Sequence, residues 1–67
     1  MKILDLFKRY VARGTGITFD VLYELGEVKG YYSTKEDLEI ELERAMDEGL
    51  IVCIRYEAQN ENRFFLM

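Results

Sequence analysis

Histidine, proline and tryptophan are missing from this 67-residue chain, and cysteine occurs once, at Cys53. Without histidine no Cys/His zinc site can be assembled, and a lone thiol closes no internal disulfide. A nucleophilic cysteine needs a base beside it, so Cys53 is expected as a buried or half-buried strand residue and the chain as a non-enzyme. Cations are also scarce: nine Lys and Arg face 13 Asp and Glu, for a net charge of −4. That balance disfavours a general binder of nucleic acid or of membrane surfaces, both of which need a cationic face. Long apolar runs are lacking too. The opening "MKILDLFKRYVARG" sets Asp5, Lys8 and Arg9 inside its apolar pattern, which suits neither a signal peptide nor a membrane span. A cytoplasmic location is expected. "GTG" at Gly14 to Gly16 has no following Lys-Ser/Thr, so it is not a phosphate loop. Glu39, Glu43 and Asp47 are too few for an oxygen cage. No metal and no cofactor are expected.

What is present is a small core. With 49% hydrophobic and 33% charged residues, residues 1–67 read as one domain. A chain this short buries only about 60% of the surface it exposes when unfolded, so association with a partner would add usefully to its stability. Ile3, Leu6, Phe7, Tyr10 and Val11 recur at helical spacing, and Gly14 is placed to end that helix. Ile17 forms a short extended piece before Thr18, an N-cap residue for "FDVLYELG", in which Phe19, Leu22 and Leu25 share a face. Gly26 to Ser33 reads as a linker longer than the usual turn of about 3–4 residues. Ser33 and Glu36 fit a capping box for a third helix from about Thr34 to Glu48. Its apolar stripe is Leu38, Leu42, Ala45 and Met46, and Gly49-Leu50 is a Schellman stop.

The period then changes to two. From Ile51 to Ala58, Val52, Ile54 and Tyr56 lie on one face and Cys53, Arg55 and Glu57 on the other. Gln59 to Asn62 reads as the tip of a β-hairpin, with "RFFLM" as the returning strand. Tyr10, Phe19, Tyr56 and Phe65 are expected in the core. The fold class is α+β: three helices, a short extended segment after the first, and a C-terminal two-stranded hairpin.

In that order of elements the chain resembles the winged-helix family, a helix-turn-helix variant whose hairpin is the wing. The stretches that carry the likeness are "GITFDVLYELG" and "LERAMDEGLIV". The resemblance implies that the third helix is a recognition helix for the major groove, with the hairpin tip touching phosphate or minor groove. On that reading Lys2, Arg9, Arg13, Arg55, Asn60, Asn62 and Arg63 are the nucleic-acid contacts of a transcription regulator on duplex DNA.

Charge points elsewhere. Ser33 to Val52 carries seven acids and two bases. With the apolar stripe turned inward, Glu36, Glu39, Ile40, Glu43, Arg44 and Asp47 face outward. Glu39, Glu43 and Asp47 repel one another at i, i+4 spacing, and Asp47 and Glu48 lie at the negative end of the helix dipole. Local stability does not explain them. Ile40 amid carboxylates has the form of an apolar anchor with a charged rim, suited to a basic protein surface. The first expectation is therefore a small regulator or inhibitor acting by protein contact, in one version by imitating DNA. Duplex DNA is the alternative partner. A homodimer through the hairpin or the first helix is a further expectation.

Overall fold

A computed structural model of the chain describes residues 1–12 and 14–67. Three helices, α1 (Lys2–Tyr10), α2 (Phe19–Val28) and α3 (Lys35–Asp47), precede two strands, β1 (Ile51–Tyr56) and β2 (Glu61–Leu66). The strands pair antiparallel, from Ile51 opposite Leu66 to Tyr56 opposite Glu61. Ile17 adds a bridge on the far side of β2: its N–H donates to Phe64 O at 3.0 Å, and Phe64 N–H returns a bond to Ile17 O at 2.8 Å. The α+β order expected from the sequence is present. No helix among the described residues is long and apolar enough to cross a membrane.

The core is built where the three helical stripes meet. Ile3, Leu6 and Phe7 of α1, Leu22 of α2, and Leu38, Leu42 and Ala45 of α3 are buried, and Ile17, Tyr32, Ile51 and Phe64 close the cluster. Each of the larger aliphatic and aromatic side chains among them contributes about 1.5–3 kcal/mol by leaving water. The helices thus hold the fold together and the hairpin is attached through the base of its strands.

The stop of α3 is the one expected. Gly49 has φ +74°, its N–H donates to Met46 O at 3.0 Å, and Leu50 N–H donates to Ala45 O at 2.9 Å. These are the two bonds of a Schellman motif. The same pair ends α2, later than the stop expected at Gly26: the N–H of Gly30 (φ +74°) donates to Glu27 O and the N–H of Tyr31 to Gly26 O. The helix therefore runs through Gly26 to Val28, and the long linker shrinks to the residues 29–34.

Other boundaries also move. α1 ends at Tyr10 because Val11 turns extended (φ −113°, ψ 117°). Val11 still packs on the core, from outside the helix, and Gly14 takes no part in the stop. The capping pair of α3 is shifted by one: Thr34 Oγ1 accepts from Asp37 N at 3.2 Å and Asp37 Oδ2 accepts from Ser33 N at 3.4 Å. Thr18 sits at the N-cap of α2 with extended backbone, but its side chain makes no cap bond. The hairpin tip is a 3₁₀ turn, Glu57–Gln59, closed by Asn60 in the left-handed region, so Glu61 and Asn62 already belong to β2.

The aromatic side chains are distributed differently from expectation. Phe7, Tyr32 and Phe64 are buried, while Tyr10 is exposed with the Lys29 ammonium 5.5 Å above its ring. Phe19 is partly buried against the core. Tyr56 and Phe65 stack on each other at 6.3 Å, on the sheet face opposite to the one that Ile51, Phe64 and Leu66 turn toward the helices. Cys53 shares the inner face with Ile51, yet it is exposed. At this level the core is closed by Phe64, the partner of Cys53 on β2, and Cys53 on the other strand is left outside it.

Candidate protein-contact face and the competing cationic groups

The stripe Leu38, Leu42 and Ala45 pins one side of α3 to the core, and a helix so pinned must turn the opposite side outward. Glu36, Glu39, Ile40, Glu43, Arg44 and Asp47 are all exposed. Ile40 is 59% exposed. Its helical neighbours at i−4, i+3 and i+4 are Glu36, Glu43 and Arg44, so the isoleucine stands within a charged ring. Among the described residues, neither the four carboxylates nor Arg44 takes part in an ion pair. Their full charge is presented to solvent.

One carboxylate of α3 behaves otherwise. Glu41 lies on the flank of the stripe, half-buried, and its Oε1 accepts from Ile3 N at 2.6 Å and from Tyr32 Oη at 2.8 Å. It thereby caps the N-terminus of α1 from a different helix and fixes the Tyr32 ring over Gly26. Burial, and then this hydrogen bond, push the Tyr32 hydroxyl far above the ordinary tyrosine range. A parallel contact joins Tyr31 Oη to Asp5 Oδ2 at 2.7 Å. The Tyr31 hydroxyl and then the Arg9 guanidinium hold the Asp5 carboxyl below its usual range. Neither Glu41 nor the tyrosine pair was singled out from the sequence, since a carboxylate beside an apolar stripe looks the same whether it faces water or a backbone amide.

The cationic groups of the DNA reading fall in two places. On α1, Arg9 is paired with Asp5 at 3.0 Å and Lys2 Nζ donates to Tyr31 O at 3.4 Å. Arg13, the third member of that patch, lies outside the described residues. On the hairpin, Arg55, Asn60 and Asn62 do come together. The Arg55 guanidinium donates to Asn60 Oδ1 and to Asn62 Oδ1, the latter at 3.5 Å, and lies 3.5 Å from Glu57. Arg63 points to the other face, 2.6 Å from Glu61 and stacked over the Tyr56 ring at 5.1 Å. Each described guanidinium of this set thus has an acid beside it. Comparison with family models, with curated proteins and with solved structures gave no match to this chain.

Proposed function

We propose that the chain is a small, non-enzymatic regulator or inhibitor of winged-helix type that acts by protein contact, docking the outer face of α3 on a basic protein surface. The winged-helix assignment is supported by the order of elements and by the pairing of Ile17 with Phe64, which sets the extended segment beside the last strand. The contact reading rests on one observation: a widely exposed isoleucine stands inside a ring of charges that is predominantly acidic and, among the described residues, unpaired. Apolar anchors surrounded by polar rims are where binding energy concentrates in protein interfaces. The carboxylates add attraction toward a basic partner and repulsion toward phosphate. A partner whose basic cleft normally receives nucleic acid has that complementary chemistry.

The competing reading would use the hairpin and α1 against duplex DNA. Affinity for DNA comes from cations that release counterions from phosphate, and here Arg9, Arg55 and Arg63 already have carboxylates within 4 Å. Titrating the isotope-labelled chain with random-sequence duplex at low salt separates the two. We expect the amide spectrum to stay unchanged. Shifts clustered from Arg55 to Arg63 that vanish steeply with added salt would overturn the protein-contact reading.

A further inference from the structure

The outer edge of β1 is open. Leu50 O accepts from Met67 N at 3.0 Å, and Phe64 turns both its backbone groups to Ile17. In an antiparallel ladder the bonded pairs alternate, so Val52, Ile54 and Tyr56 exchange bonds with β2 while Ile51, Cys53 and Arg55 point their N–H and C=O groups away from it. Among the described residues no strand lies on that side. Cys53, Ile54 and Arg55 are exposed in succession, which places both faces of the strand in solvent there, and Ile54 is 45% exposed. A two-stranded hairpin with an apolar, unprotected edge is marginal by itself and is a template for another strand.

We propose that a second copy of this chain supplies that strand, pairing antiparallel along β1 about a two-fold axis at Cys53. The edge is self-complementary in this register. Cys53 meets Cys53, Val52 of each copy lies opposite Ile54 of the other, and Ile51 lies opposite Arg55. The two β-branched pairs fall at non-hydrogen-bonded positions, where side chains approach most closely. The single charged side chain of β1, Arg55, never faces itself.

Charge selects this register over its neighbour. Ile51 follows directly on Asp47-Glu48-Gly49-Leu50, so each Arg55 is brought to the acidic end of the other copy's α3, where the helix dipole also favours a cation. Sliding the strands by two residues toward the tip would instead set Glu57 there, acid against acid. The joined hairpins form one four-stranded sheet, and of the outward set of α3 only Asp47, at its end, lies near this interface.

Sedimentation equilibrium on the intact chain over a range of concentrations tests the dimer. We expect a reversible monomer–dimer equilibrium whose dissociation constant rises at least about tenfold in Arg55→Glu and in Ile54→Lys. Adding Glu48→Lys to Arg55→Glu should restore it. Ile54→Lys leaves the tip contacts of Arg55 intact, and the circular dichroism of each variant checks that it is folded. In the hydrogen-bonded register the Cys53 Cα atoms stand roughly 5.5 Å apart, within disulfide range. Diamide should therefore link two chains through Cys53. A monomer at every concentration would overturn the proposal. So would a dimer that both substitutions leave unchanged and diamide does not link, since its interface would lie elsewhere.

Discussion

Replacing Glu41 by alanine should lower the stability of the chain by about 2–4 kcal/mol, whereas Glu39→Ala, two residues away, should change it by less than about 0.5 kcal/mol. Both are carboxylates of α3, and the difference lies in what each faces. Glu39 is exposed and, among the described residues, its carboxylate accepts no hydrogen bond, while one oxygen of Glu41 takes both the Ile3 N–H, in the first turn of α1, and the Tyr32 hydroxyl. Removing it leaves two donors in a partly buried place and takes a negative charge from a helix N-terminus. Hydrogen bonds to a charged acceptor contribute about 1.5–3 kcal/mol each when they are made, less what water recovers. Since small domains have only a few kcal/mol in hand, urea unfolding should show a much reduced midpoint or no folded baseline. Glu41→Gln keeps an acceptor and should fall between. A loss below about 1 kcal/mol for the alanine variant would mean that water satisfies both donors and that Glu41 is not a structural cap.

The second large effect has an unusual sign. In an exposed helix interior Gly→Ala is stabilising by about 1 kcal/mol, but Gly26→Ala should destabilise this chain by about 1–3 kcal/mol. A Cβ at Gly26 would stand 2.3 Å from Tyr32 Cδ2 and 2.6 Å from Cε2. That ring is 5% exposed and its hydroxyl is tied to Glu41, so it cannot swing aside without giving up a partly buried hydrogen bond. Overpacking costs of this kind run at about 1–3 kcal/mol, with the broken bond added and the helix propensity subtracted. Thermal melting gives the sign directly. A raised melting temperature would show that Tyr32 yields easily.

These two predictions mark where the sequence was readable and where it was not. The stripe Leu38, Leu42, Ala45 and the Gly49 stop of α3 were legible because both are local: one repeats along a single helix, the other needs a left-handed residue at one position. From that stripe the outward set around Ile40 followed by geometry alone. The end of α2 was missed because Gly26 looks like a stop, whereas it is a helical residue kept small by a ring from the next segment. The capping pair slipped by one because Ser33 and Thr34 are both cap residues with an acid three positions on. Tyr56 and Phe65 were expected in the core because alternation tells which residues share a face without telling which face meets the helices. Cys53 is on the inner face, but at that level it is its partner on β2, Phe64, that enters the core, and alternation along one strand does not tell which strand of the pair is covered. Glu41 could not be found at all from one helix, since its partners are a backbone amide 38 residues away and a tyrosine in a loop.

The outer face of α3 therefore carries the functional reading, and Ile40→Arg tests it at its centre. Ile40 is exposed and is not one of the buried residues of the core, so the variant should melt within a few degrees of the parent. Immobilised parent chain should retain a basic protein from its native host, and the Ile40→Arg chain, equally folded, should retain none of it. Equal retention by both chains would contradict a contact centred on Ile40, and unfolding of the variant would show that Ile40 belongs to the core.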